Sequence, residues 1–506
     1  MKKLKSFLLI CILIVMGSSS YSQNVTTCQI SIKDFGAIGD GVTNNTKSIN
    51  EAIKFATENG ISQVVVPPGV YITGTIQLKS NIYFEIQAGA TIKASPEIND
   101  FVTYENIVGG NQSLFLGKNI SNAGITGKGT IDGSAEYYTN NLQNTPDFQW
   151  TDLKAVRPTP MIRFINCKQI RLEDVTMKNS SGWTCSFYMC DFIWITGINL
   201  YNSLYAGNSD GLDMVAVHDV IINNCHIETG DDAIAFKTPK NTRSVERISV
   251  SNCILSSNCA AFRLGAESWY PFKDISFGNS VIYKSNRGID ITSQDGAIIE
   301  DITCSNLTIN THGTGNSNMS RVIHLELRKG RNEWEENPPL DKQIVGKIKN
   351  ILFSNITINT DGRILLTAAD GGILENISFQ QINMHYPWIE DPKSVEAYSD
   401  NNQCSFYNPE ARFAHAAFVV ENAKNLSLIG FNVQWPEDPL PTDFMPKYDK
   451  GKLTYDPRTG PRPNAKFSVV WAKNVKGGII DAPFSKPSHD GIKKFEFINS
   501  EIRIRK

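Results

Sequence analysis

One short phrase returns along much of this 506-residue chain and restricts what it can fold into. From about residue 162 the order apolar, polar, apolar, two polar, apolar, polar, apolar begins again at Ile170, Ile193, Val220, Ile248, Ile275, Ile302, Ile351, Ile377 and Leu426. The steps between these starts are 23, 27, 28, 27, 27, 49, 26 and 49 residues. Alternation inside each unit has the period of a strand, and a unit near 27 residues is too short to bury its own apolar face. Such units are stable when stacked as a β-solenoid, each coil covering the next. Asn223-Asn224, Ser251-Asn252, Ser305-Asn306 and Ser354-Asn355 fall at the turns, where Asn tolerates the left-handed backbone. The two 49-residue steps are read as one coil plus an extra loop each, at residues 312–343 and 385–415. Separate β-sandwich domains would give irregular spacing instead.

Stacking places equivalent residues in columns. The strands Leu212-Asp213-Met214, Ile234-Ala235-Phe236, Phe262-Arg263-Leu264 and Ile289-Asp290-Ile291 align, with apolar residues inward and the middle residue outward. The outward column is then Asp213, Ala235, Arg263, Asp290, and two residues upstream a second column reads Asp210, Asp232, Ala260, Arg287. Asp210 of Asn208-Ser209-Asp210-Gly211 and the pair in Gly230-Asp231-Asp232 fall on neighbouring coils, roughly 4.8 Å apart. A lone Asp in a turn is usually structural. Three together repel one another unless something uses or neutralises them. Acid/base cleavage of a glycosidic bond is one such use, since one group protonates the leaving oxygen and another activates water. A Ca2+ site is the other. Arg263 and Asp290 are also open to a simpler reading, an exposed ion pair of little energy.

The ends and the composition narrow the setting. Lys2, Lys3 and Lys5 precede an apolar run from Phe7 to Met16, and Ser20-Tyr21-Ser22 fits a cleavage site, so residues 1–22 read as a signal peptide and the mature chain starts near Gln23. That run is too short to span a bilayer, and no later segment is long and apolar enough, so an exported chain without a membrane span is expected. A net charge of −2 gives no basic field for nucleic acid. Ile49, Ala52, Ile53 and Ala56 line one face of a helix expected from about Thr46 to Asn59, stopped by Gly60. Of ten cysteines Cys11 leaves with the leader, and Cys167, Cys225 and Cys253 lie in apolar strand patterns as core residues. There is no C-x-x-C pair, so no zinc site is expected.

These motifs together resemble glycoside hydrolase family 28, the polygalacturonase family. Asp34 to Gly41 and Val66-Pro67-Pro68-Gly69 look like its N-terminal cap, and Asn179-Ser180-Ser181-Gly182-Trp183 resembles its Asn-Ser-Pro-x-Trp element with Ser181 for proline. Asn208-Ser209-Asp210 is similar to its Asn-Thr-Asp motif, and Gly230-Asp231-Asp232 to its Gly-Asp-Asp motif at the family's spacing. The likeness is strongest at about 30–95 and 160–310. It implies an all-β chain, a single-stranded right-handed parallel β-helix of the pectin-lyase-like solenoid type, over residues 23–506 with an N-terminal cap at about 30–62. It implies an inverting hydrolase without cofactor or metal, with Asp231 as general acid and Asp210 and Asp232 holding and deprotonating the attacking water. Acid and base carboxyls roughly 6.5–9.5 Å apart are expected of inversion.

Two departures bear on the substrate. The family's Gly-His-Gly motif falls at Cys259-Ala260-Ala261, without histidine, and its Arg-Ile-Lys motif falls at Asp290-Ile291-Thr292. In the polygalacturonases those two cations hold a galacturonate carboxylate, which Asp290 would repel. The expectation is a plant or algal polysaccharide, pectic by the resemblance, cleaved by something other than an ordinary polygalacturonase. Either the sugar there is neutral, or Arg263, Arg287 or Lys237 serves as the anion clamp, with Asn208 beside the acids. Trp150, Trp269, Tyr270, Trp334 and Trp388 are candidate stacking residues, and insertions at about 136–160, 312–343 and 385–415 would wall a pocket suited to chain ends. A monomer is expected. A β-helix lyase or epimerase and a non-catalytic glycan-binding β-helix remain as alternatives.

Overall fold

The computed structural model describes residues 29–139, 154–312, 320–329, 344–387, 389, 409–436, 447–449, 452–455 and 465–505. The leader, Trp150, Trp334, Trp388 and most of the long insertions lie outside these residues. Within them the chain winds as a right-handed parallel β-helix whose strands belong to one sheet of 32 members. A coil contributes three strands, as in Leu212–Val215, His218–Asn223 and His226–Thr229, and each pairs in parallel with its equivalent on the next coil.

The repeat phrase sets the register. Ile170 pairs with Ile193, Ile193 with Val220, Val220 with Ile248, Ile248 with Ile275, Ile275 with Ile302, Ile302 with Ile351 and Ile351 with Ile377. All are buried, so the phrase repeats because each coil presents the same inward positions to one continuous apolar core. That core runs from Ile32 through Phe84, Phe164, Phe262 and Phe353 to Ala482. The turn asparagines fit this geometry: Asn224, Asn252, Asn306 and Asn355 have φ of 56°, 56°, 56° and 54°. Asn355 donates to Asn306 at 2.8 Å, and Asn306 to Asn279 at 3.0 Å, one rung above the next.

The helix spans Thr46–Glu58 and buries the four residues named for it. It packs beside the first coils, against Gln63–Val66 and Ile76–Gln77. Cys167, Cys225 and Cys253 are buried thiols, as are Cys185, Cys190 and Cys304.

One expectation fails. The stretch 312–343 is not a single loop: Arg321–Leu327 within it is a strand, all seven residues buried, pairing Asp290 with His324 and Thr292 with Glu326. Its outward positions carry His324 and Glu326, and Arg321 pairs with Arg287; the repeat phrase lies on the strand after the floor strand in each coil, so it gave no sign of this one.

Candidate active site

The strand that opens each coil forms one floor. Its outward column runs Leu116, Arg163, Ser186, Asp213, Ala235, Arg263, Asp290, His324, Leu365, Val419, Trp471. The columns aligned from sequence are therefore in register, Ala260 facing Arg287 included. The outward side chains are not solvated, however. Asp213, Asp290 and His324 are at most 1% exposed, so this face lies at the bottom of a covered site.

The three aspartates converge just before the floor strands. Asp231, Asp232 and Asp210 are 8%, 1% and 3% exposed. Asp231 Oδ2 accepts the Asn208 N–H at 3.2 Å, and its Oδ1 accepts the Asp232 N–H at 3.0 Å. Asn208 thus holds Asp231 through its backbone, which sits at φ 50°, while its side chain is exposed. Both oxygens of Asp232 are engaged: Oδ2 accepts Arg263 Nη1 at 2.9 Å and Oδ1 the Ala260 N–H at 3.2 Å. An oxygen from each of Asp231 and Asp232 and the Cys259 sulfur lie within 4.8 Å of one another. These two carboxyls are closer than the separation expected of an inverting acid and base.

Lys237 forms the second centre. Its Nζ lies 3.9 Å from Asp210, 3.7 Å from Asp213 and 3.8 Å from Glu267, and 5.1 Å from the centroid of the Trp183 ring. One ammonium thus faces three carboxyls. Neither Asp213 oxygen, nor Asp210 Oδ1, has a hydrogen-bond donor among the described residues, so each is an acceptor left for water or a sugar hydroxyl.

Burial and neighbours sort the proton affinities. Burial pushes Asp231 up, and the adjacent Asp232 charge adds to it. Burial acts on Asp232 in the same direction, but Arg263, Lys237 and Arg287 outweigh it and hold that carboxyl below its usual range. Burial pushes Asp210 and Asp213 well up against Lys237, with the charges of Asp213 and Asp231 adding to it at Asp210 and those of Asp232 and Asp231 at Asp213. Burial opposes the Lys237 charge, yet Glu267, Asp213 and Asp210 keep it a cation. Neighbouring carboxyls pushed apart in this way divide acid from base.

The next two coils close the floor with further pairs. Asp290 lies between Arg287 Nη1 and His324 Nδ1, the latter at 2.9 Å. Burial opposes its charge, but Arg287, His324 and Arg263 hold it well below the usual range, so it stays ionised. Arg263 and Asp290 therefore do not form an exposed pair with each other; each is committed to another partner inside the site. Arg287 Nη2 donates to Cys259 Sγ at 3.1 Å, one residue before Ala260, the position at which the resemblance sets a histidine. Burial pushes the Cys259 thiol well up and keeps it protonated. Asp231, Asp232 and Cys259 are donors a metal could use, but the Arg263 and Arg287 guanidiniums already bond Asp232 and Cys259 and would repel a cation.

Sequence reasoning missed several neighbours. Glu267, His324 and Glu326 carried no motif signal, although Val322-Ile323-His324-Leu325-Glu326-Leu327 alternates as a floor strand does, and Trp183 stood in a quoted motif without being placed beside Lys237. Of the aromatic candidates, Trp269 and Tyr270 are half-buried, and Lys240 Nζ lies 5.3 Å from the Trp269 ring centroid.

Comparison with known proteins agrees with the motifs. The family model described as Glycosyl hydrolases family 28 matches residues 56–405. A probable polygalacturonase of Vitis vinifera is 28% identical over 309 residues, which cover 56% of this chain and 60% of the grape protein. A family 28 exopolygalacturonase structure from Yersinia enterocolitica superposes with a TM-score of 0.63 at 18% identity, covering 91% of this chain and 79% of that one. A hyperthermoactive exopolygalacturonase from Thermotoga maritima gives a TM-score of 0.61 at 18% identity, with 81% and 91% covered. At that identity the two structures speak for the fold alone. The family match spans well over half of the chain, from the second half of the helix through the whole acid cluster, and the chain belongs to glycosyl hydrolases family 28.

Proposed function

We propose that this protein is an exported, inverting glycoside hydrolase that cleaves a pectic polysaccharide at a bond flanked by a neutral sugar. The observation that carries the reading is the Asp231–Asp232–Arg263 arrangement: adjacent carboxyls, one retaining a proton through burial and one held as carboxylate by a guanidinium 2.9 Å away. Asp231 is then the general acid for the leaving oxygen and Asp232 the base for water. Asp210, pushed up beside Asp213, orients that water rather than deprotonating it. Arg263 and Ala260 each bond one Asp232 oxygen and fix the orientation of the carboxylate, leaving a lone pair on each oxygen for a water proton.

The neutral subsite rests on charge. Arg287 and Arg263 are each paired with a carboxylate, and the Arg-Ile-Lys position is an ionised Asp290. A uronate placed there would meet the Asp290 charge, and the guanidiniums nearest it are already paired with carboxylates. Export is supported by the leader read at residues 1–22.

The test is reducing-sugar release from polygalacturonate, rhamnogalacturonan, pectic galactan and sulfated algal galactan, each with and without EDTA. Release from a polymer with neutral sugars, unaffected by EDTA and lowered about 10²- to 10⁴-fold in Asp231→Asn, is expected. Release from polygalacturonate alone would overturn the neutral subsite. Unsaturated, ultraviolet-absorbing products would show a lyase instead.

A further inference from the structure

The outward column does not stay open along the coil; two inserted segments close it, one at each end. On the N-terminal side the antiparallel hairpin of Thr103–Ile107 and Gly110–Gln112 folds over the floor at Arg163. Arg163 is wholly buried, and its Nη2 donates to the Val108 carbonyl at 2.7 Å and the Gly110 carbonyl at 3.4 Å. Its Nη1 donates to Ser186 Oγ at 2.7 Å, tying the hairpin to the next floor position. The hairpin tip lies on Trp183 so closely that a Cβ on Gly109, at φ 90°, would come within 2.3 Å of the ring. That same ring carries Lys237, so the wall abuts the acid cluster.

On the C-terminal side the short helix Pro409–Arg412 and the turn after it cover the floor. Leu365, Val419 and Trp471, which continue the outward column, are buried with Ala411, Ala414 and Ala416 in an apolar cluster apart from the main core. Arg363, 1% exposed, donates to the Ala414 carbonyl at 2.7 Å and the Ala411 carbonyl at 3.4 Å through Nη1, and to the Arg412 carbonyl at 2.8 Å through Nη2. Lys473 bonds Glu410 at 2.9 Å across the same segment. A buried guanidinium bonded to several carbonyls is costly to undo, because each carbonyl would be left unpaired in the interior.

Between the walls the floor runs from Ser186 to His324, six strand positions and roughly 24 Å. The aspartates sit near one end of it. From the Asp213 position to Arg163 is two strand spacings, roughly 10 Å, with Ser186 and Trp183 buried between them, so the hairpin wall stands directly beside the acids. On the other side Arg263, Asp290 and His324 separate the acids from the C-terminal wall.

We propose that the Arg163-locked hairpin and the Arg363-locked helix make this site a pocket closed at both ends, so that the protein removes one short unit at a time from chain ends. This rests on the hydrolase reading above and specifies its mode of action.

The experiment follows the sizes of products released by the wild-type protein from rhamnogalacturonan, pectic galactan and polygalacturonate, together with viscosity, from the earliest time points. A single short product size with little loss of viscosity is expected. A ladder of intermediate sizes from the start would overturn the pocket while leaving the hydrolase reading intact. No release from any polymer would overturn the hydrolase reading and the pocket with it. A variant with residues 104–110 replaced by two glycines is expected to yield mid-chain products at least several-fold above wild type.

Discussion

At the scale of single residues, the proposed chemistry, with Asp231 as acid and Asp232 as base, depends on Arg263. It lowers both Asp231 and Asp232, and it is the largest of the influences that bring Asp232 down against burial. Asp232 must be ionised to act as base, so activity is lost as pH falls through its depressed value. Asp231 must be protonated to act as acid, so activity is lost as pH rises through its elevated one. Without the guanidinium both carboxyls rise. In Arg263→Gln the acidic limb of the kcat profile is therefore expected to move to higher pH, with the alkaline limb also displaced upward. An unmoved acidic limb in a folded variant would show that Asp232 is not the base. Asp290 is the other decisive residue: without the Arg287 and His324 pairs it would be a buried charge, and with them it takes the place of a family cation.

At the scale of elements, the turn ladders fix the coil-to-coil register from outside as the apolar columns do from inside. Asn350 donates to Asp301 at 3.0 Å, Asn376 to Asn350 at 2.9 Å and Asn425 to Asn376 at 3.0 Å. Asn376 sits at φ 55°, which Asn and Gly adopt readily and Ala does not. Asn376→Ala is expected to lower unfolding free energy by about 1–3 kcal/mol, and Asn376→Gly by less, with kcat unchanged. Equal losses in denaturant titrations would mean that the backbone angle contributes nothing. The turn asparagines Asn224, Asn252, Asn306 and Asn355 were legible in the sequence because Ser-Asn and Asn-Asn recur at fixed offsets from the apolar phrase, whereas the ladder through Asn350, Asn376 and Asn425 carries no such pair. The floor strand Arg321–Leu327 was not legible, because the repeat phrase lies on the following strand of each coil and resumes here only at Ile351. The hairpin at 103–112 left no trace either: Thr103 to Gln112 has neither the phrase nor a charge column, and its place is set by contacts with Arg163 and Trp183 far along the chain.

At the scale of the whole molecule, a solenoid turns a sequence period into a straight row of side chains, and inserts decide how much of that row a polymer can reach. The period and the acid motifs could be read from the chain alone, because both are local patterns repeated in register. The burial of the row, the sharing of Lys237 among three carboxyls and the two walls could not, since each joins residues that only coiling brings together. The central claim is that Asp231 protonates the leaving group while Asp232 activates water, despite carboxyl oxygens within 4.8 Å of each other. That spacing makes the stereochemistry of the first product the most direct measurement. Following hydrolysis by proton NMR before mutarotation, the account predicts that the newly formed sugar end appears first as the inverted anomer. Appearance of the retained anomer would contradict it and would make Asp232 a nucleophile that bonds the sugar covalently.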